Sequence, residues 1–304
     1  MNTVIIGSGA IGLLLYQQLI KILPSRRQLA LVSRQAEKPS AYQYQALNGE
    51  IEQISLNHAT HSDINNADLI IVCVKAFAVN QVIDQYIDQF KPSATIVLAH
   101  NGMGVYEALK DSIKQKFAIY SLLTTHGSKK MSYWEVTHTG MGTIDFGPLN
   151  EINPSAQINT NHFLTHHFNR CSYHHNIRQM QWQKLAINCV INPITAIYQI
   201  KNGDVLQAQF DDLRTKLISE FVTIARLAKL DFSEQAVNET VEQVARQTAE
   251  NTSSMLSDVL AGRETEIEFI NGYLVYIACL YQQEELAHMH LAMLKQVKSL
   301  FNPN

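Results

Sequence analysis

The chain opens on a pattern that few folds accommodate. Val4, Ile5 and Ile6 form a short β-branched run of the kind a buried parallel strand needs. Gly7-Ser8-Gly9-Ala10-Ile11-Gly12 follows at once. Residues 13–23 then read as a helix that stops near Pro24, and residues 28–33 as a second strand. Strand, glycine turn, helix and strand in this order are the βαβ unit of a dinucleotide-binding fold. Gly7 permits the tight turn, Gly9 lets a pyrophosphate approach the backbone, and Gly12 lets the helix pack on the strand. The helix start, with Ser8, Ala10 and Ile11 around it, offers free N–H groups and a positive dipole end to phosphates.

The end of the second strand selects the cofactor. An enzyme that uses NAD usually places Asp or Glu there, to accept from the ribose 2′-hydroxyl. This chain reads Leu31-Val32-Ser33-Arg34, with no acid. An arginine holds a 2′-phosphate through paired charge-assisted bonds, so NADP(H) is expected over NAD(H).

Further strands are expected at 68–74 and 95–99, and weaker ones at 118–124 and 143–146. Helices are expected between the earlier of these, at 79–90 and 106–114. Such alternation predicts a mostly parallel sheet. Residues 179–198, 213–229, 233–257 and 265–283 all read as helices. The expectation is an α/β Rossmann-type dinucleotide-binding domain over 1–170, then an all-α domain over 171–304 that carries substrate and catalysis. The polar stretch 150–172 joins them as loop.

Composition closes off other classes. Apolar residues make up 46% of the chain, which excludes disorder throughout. The 24 basic residues against 27 acidic ones leave no excess for a nucleic-acid surface. No apolar run is long enough to span a membrane. The N-terminus lacks the basic region of a signal peptide, so the cytoplasm is the expected location. Cys73, Cys171, Cys189 and Cys279 are widely spaced, and buried free thiols are their simplest reading. His162, His166, His167, His174 and His175 have no acidic companion and read as surface residues, with no metal site expected.

Lys184, Asn188 and Asn192 recur at intervals of four, which places them in one helical stripe. The residues around them are apolar or small, so the helix should be buried. Its polar stripe must then face a cleft or an internal polar network. Pro193 should free a carbonyl nearby. Further on, Gly262 is expected to end one helix, and Thr265-x-x-Glu268 to start another as a capping box. That break would let Ser254 and Glu266 converge.

Together these segments resemble the ketopantoate reductase family. The resemblance is carried by G-S-G-A-I-G at 7–12, V-K-A at 74–76, H-N-G-M-G at 100–104 and T-T-H at 124–126. It continues in K-L-A-I-N-C-V-I-N-P-I-T-A-I at 184–197, N-G at 202–203, S-S-M-L-x-D at 253–258 and T-E-I-E-F-I-N-G at 265–272. The lysine–asparagine helix and the last two blocks are more specific than the glycine turn. Residues 150–175 carry no family signature, and 284–301 lack the Gly and Pro expected between the last two helices.

The resemblance implies NADPH-dependent reduction of ketopantoate to pantoate, a step of pantothenate synthesis. It implies Lys184 as proton donor and Asn188, Asn192, Asn202 and Ser254 as substrate contacts. Asn101 would touch both cofactor and substrate. Lys75, Glu266 and the backbone at Ser128 would touch the cofactor. The site is expected between the domains. Two rivals stay open: a reductase of the same build for another 2-oxo or 3-hydroxy acid, and a non-enzymatic NADPH-binding sensor. A homodimer is possible, since the helical half has long apolar faces.

Overall fold

The computed structural model describes residues 1–151 and 154–301, Arg26 by its backbone alone. The chain forms two compact units, Met1–His100 with Val105–Ile177, and Asn101–Gly104 with Arg178–Asn304.

The first unit runs β1 (Thr3–Ile6), α1 (Ala10–Ile22), β2 (Leu29–Val32), β3 (Ala41–Gln45), β4 (Ile51–Ser55), α2 (His61–Asn65), β5 (Leu69–Val72) and α3 (Ala76–Tyr86). It continues through β6 (Thr95–Leu98), α4 (Asp111–Lys116), β7 (Ala118–Thr124), β8 (Gly127–Ser132), β9 (Glu135–Gly140), β10 (Ile144–Pro148), α5 (Pro154–His167) and β11 (Cys171–Tyr173). Seven strands form one sheet in the order β11-β10-β7-β6-β5-β1-β2. The five from β7 to β2 are parallel, and β10 is antiparallel to β7. β1 pairs with β2 on one side and β5 on the other, so the strand order reverses there. Ligands of open α/β sheets bind beyond the strand ends at such a point.

A second sheet, β4-β3-β9-β8, is absent from the sequence expectations. Its strands are short and polar, and β8 (GSKKMS) carries no β-branched residue. One sign of it is legible in hindsight. In α1, Leu13, Leu14, Leu15 and Tyr16 are consecutive and all buried. A helix apolar all round needs cover on more than one side. The second sheet supplies that cover, and Tyr42 on β3 donates its hydroxyl to the Leu13 carbonyl at 2.6 Å.

Three other expectations are corrected. α1 starts at Ala10, directly on the glycine turn, not at 13. The 106–114 helix is shorter and later, because residues up to Leu109 form a turn closed by the Leu109 N–H on the Tyr106 carbonyl. The loop expected over 150–172 contains the helix α5, although residues 152–153 lie outside the described ones. α5 buries Thr160, Phe163 and Leu164 on one side. β11 pairs with β10, and the first unit extends to Ile177.

The second unit is helical: α6 (Ile177–Tyr198, its first residue in the first unit), α7 (Asp211–Leu227), α8 (Glu234–Gln247), α9 (Ser254–Leu260), α10 (Ile267–Leu280) and α11 (His288–Ser299). Its core centres on Trp182, whose ring lies 5.8 Å from that of Phe221 and 6.0 Å from that of Tyr273. Each fully buried side chain of this size contributes about 1.5–3 kcal/mol.

The helix expected over 233–257 is two. α8 stops at Gln247, and Ser253 caps α9 by accepting from the Leu256 N–H at 3.0 Å. α9 ends before Gly262 (φ +63°), as expected. The capping box at Thr265 does not form. Glu266 holds the N-cap position of α10, and Glu268 pairs with Lys298 instead. No glycine separates α10 from α11, and Gln282 takes the left-handed conformation (φ +57°) that ends α10. Among the described residues no helix is long and apolar enough to cross a membrane.

Candidate functional site

In the first unit the glycine turn lies at the reversal point between β1 and β5. Gly7 has φ +119°, and a Cβ there would stand 2.7 Å from the Cys73 carbonyl oxygen at the end of β5. A Cβ on Gly12 would stand 2.0 Å from the Gly7 carbonyl oxygen. The fold itself therefore demands both glycines. Gly9 is different. Its backbone is ordinary for an N-cap (φ −71°, ψ 176°), and a Cβ would meet nothing nearer than 3.8 Å. Nothing in the protein requires glycine there. A surface that must admit a ligand backbone-close does require it, and a diphosphate at the start of α1 fits that need.

Ser8, Ala10 and Ile11 are half-buried along this turn. The Ser8 hydroxyl is 2.9 Å from that of Ser33, which ties the turn to the end of β2. Arg34 follows, exposed and without an ion pair among the described residues. Lys38 donates to the Ser33 carbonyl at 2.5 Å. Lys75 occupies the N-cap position of α3, just past β5 and on the same edge of the sheet. Ser128, expected to act through its backbone, also donates its hydroxyl to the Ala10 carbonyl at 3.2 Å.

The second unit gathers the other site residues. Lys184 and Asn188 are half-buried on α6, and Asn192, one turn further, is 7% exposed. The rest of this stretch is core, with every position from 189 to 196 buried. Pro193 lies inside α6 and cannot donate to the Cys189 carbonyl four residues back. Asn271 donates to that carbonyl instead, at 3.0 Å. Its amide nitrogen also lies 3.0 Å from Nδ1 of His290, whose Nε2 lies 3.1 Å from the Leu217 carbonyl. A hydrogen on Nε2 satisfies both contacts. Burial pushes the His290 imidazole down to about 3, so it stays neutral.

Asn101 and Glu266 are brought together, the amide donating to the carboxylate at 3.3 Å. Gly102 (φ +82°) makes this possible. The Met103 N–H donates to the Phe269 carbonyl at 2.7 Å, and a Cβ on Gly102 would stand 2.4 Å from that oxygen. Asn202 is buried and donates to Thr248 at 3.0 Å, while its Oδ1 has no partner among the described residues. Gly203 beside it packs so closely on Ala249 that a Cβ would come within 2.7 Å. Ser254 is exposed at the start of α9. Its neighbour Ser253 is buried, with its hydroxyl 2.7 Å from that of Thr195, which donates to the Asn192 carbonyl at 2.9 Å. This chain of bonds fixes Ser254 relative to Asn192.

Sequence reasoning passed over Thr195 and Ser253, which act through position, and Lys130, which lay in an unread strand. It gave no role to His126. The structure buries His126 against His138, with 3.1 Å between Nδ1 and Nε2, and Tyr44 lies 3.1 Å from the other His138 nitrogen. In α5, His162 and His166 stack on each other. Among the described residues no His, Cys, Asp or Glu group is arranged to hold a metal. The four cysteines are free, with Cys73 and Cys189 buried, Cys171 half-buried and Cys279 exposed. The expectation of burial thus fails at Cys279. Burial pushes the thiols of Cys73 and Cys171 up to about 12.

A Rossmann-type unit followed by a helical unit with this polar stripe places the chain among the oxidoreductases. Residues 3–151 match the family model "Ketopantoate reductase PanE/ApbA", and residues 176–295 match "Ketopantoate reductase PanE/ApbA C terminal". The chain belongs to the ketopantoate reductase family. It is 32% identical to the 2-dehydropantoate 2-reductase of Vibrio cholerae over 301 residues, 99% of this chain and 98% of the relative. A crystal structure of a probable 2-dehydropantoate 2-reductase from Bacillus subtilis superposes with a TM-score of 0.79 at 28% identity, covering 99% of this chain and 100% of the other. D-mandelate dehydrogenase, solved with NADH and anilino(oxo)acetate, shares the fold at a TM-score of 0.83 and 19% identity, over 98% of this chain and 99% of the other.

Proposed function

We propose that this chain reduces ketopantoate to pantoate with NADPH, as a cytoplasmic step towards pantothenate and coenzyme A. One observation supports this most directly: Lys184, Asn188 and Asn192 form a polar stripe beside the stretch 185–196 of α6, most of whose other side chains are core. A buried helix carries such a stripe at a cost unless the polar groups serve a ligand or each other. When bound, the dinucleotide supplies a hydride to the C2 ketone of the substrate. Charge then gathers on the ketone oxygen. The Lys184 ammonium stabilises that oxygen and gives it a proton, which leaves a 2-hydroxy acid. Asn188, Asn192, Asn202 and Ser254 orient the carboxylate and hydroxyl of the substrate without adding like charge. Asn101, held by Glu266, contacts both cofactor and substrate, and Lys75 and Glu266 serve the nicotinamide end.

The preference for NADPH is supported by Ser33 and Arg34 at the end of β2, where no acid stands. The deciding experiment follows dinucleotide absorbance with ketopantoate, 2-oxoisovalerate and 2-oxobutyrate, each with NADPH and with NADH. Fast turnover confined to ketopantoate and NADPH is expected. Turnover of the analogues alone would favour a reductase for another 2-oxo acid. Tight NADPH binding without any turnover would favour a sensor.

A further inference from the structure

β8 crosses the glycine turn and brings a charge to it. Ser128 and Lys130 are two residues apart and so share one face of the strand. Ser128 donates to the Ala10 carbonyl at 3.2 Å, and Lys130 Nζ donates to the Ser8 carbonyl at 2.8 Å. These two anchors bracket Gly9, the glycine that no contact within the protein requires. The Lys130 ammonium also lies 5.3 Å from the centre of the Tyr133 ring, so it is held in place. The Ser8 carbonyl is a neutral acceptor and does not by itself cancel the ammonium charge.

We propose that Lys130 is a phosphate-binding residue of the dinucleotide site, acting on the diphosphate bridge that NADH and NADPH share. The inference rests on the dinucleotide reading above. Its role is distinct from that of Arg34. The main chain of the turn and the positive end of α1 receive the diphosphate, and Lys130 is tied to that main chain. The 2′-phosphate belongs at the end of β2, where Ser33, Arg34 and Lys38 gather. Lysine suits the first task as a compact point charge, and arginine the second as a planar fork.

The test is fluorescence titration of the whole protein with NADPH and with NADH, over a range of NaCl concentrations, for wild type, Lys130→Met, Lys130→Gln and Lys130→Arg. Lys130→Met and Lys130→Gln are expected to weaken both dinucleotides about equally, by about tenfold at low salt, with a flatter dependence of log Kd on log salt. Lys130→Arg keeps the charge and is expected to recover most of the affinity. Unchanged Kd values for both dinucleotides in Lys130→Met and Lys130→Gln would overturn the proposal. A loss confined to NADPH would also overturn it, by moving Lys130 to the 2′-phosphate. A wild-type protein that binds neither dinucleotide would instead overturn the reading beneath it. Thermal unfolding is run on each variant. Should one apolar or neutral variant unfold early, the other is read, and failure of Lys130→Arg to restore the salt dependence would count against the charge.

Discussion

Lys184 and Arg34 carry the two residue-level claims most open to test. Lys184→Ala removes a proton donor but leaves the glycine turn untouched. We expect kcat to fall by about a hundredfold or more, as general-acid contributions run, while the NADPH Kd stays within about threefold. Steady-state kinetics beside a binding titration would show it, and near-normal kcat would remove Lys184 as donor. Arg34 is exposed and unpaired with any described carboxylate, so its loss creates no buried defect. Arg34→Ala should weaken NADPH by about tenfold and leave NADH nearly unchanged. Equal losses for both would end the 2′-phosphate assignment. Both residues were legible because their types are improbable where they stand: a lysine in an apolar helix, and an arginine where an acid is usual. Lys130 was not legible. Its importance comes from what β8 lies against, and G-S-K-K-M-S looks like any solvated loop.

At the scale of elements, the critical joint is between α6 and α10. Pro193 leaves the Cys189 carbonyl without its helical donor, and Asn271 supplies one while also bonding His290. Asn271→Ala would orphan a carbonyl and a ring nitrogen, both buried, each worth about 1–3 kcal/mol. We expect a loss of about 2–4 kcal/mol and a Tm lower by several degrees, read by thermal unfolding. A Tm within about a degree of wild type would show that the joint closes some other way. Helix existence was readable at this scale, and helix ends were less so. The break between α8 and α9 was announced by Asn251, Thr252 and Ser253, cap-forming residues that the apolar spacing overrode. The capping box at Thr265 was a correct motif in the wrong register, because Glu268 found Lys298 on α11.

For the whole molecule the strongest global signal is acid sensitivity. Burial lowers the pKa of His290 to about 3, and also lowers those of His126 and His138. In the unfolded chain each would titrate near ~6.5. The unfolded state therefore binds more protons as the pH drops below that value. The stability these groups confer is complete above about pH 6.5 and is lost as the pH falls towards the folded values, by at most about 1.4 kcal/mol per pH unit for each group. We expect Tm to fall between about pH 7 and about pH 5. His290→Gln should be less stable throughout but show a shallower slope, and an unchanged slope would exclude His290 as a source. The sequence by itself determined the parallel sheet, the glycine turn and the polar stripe of α6, because each is written locally: unbroken apolar runs alternating with helices, glycines where a Cβ would strike a neighbouring carbonyl, and polar residues at intervals of four. Only the tertiary structure decided the second sheet, the cover it gives α1, the delivery of Lys130 to Ser8 and the rescue of the Cys189 carbonyl by Asn271. Those depend on which distant surfaces meet, and local spacing does not encode a contact between residues 8 and 130 or between 189 and 271.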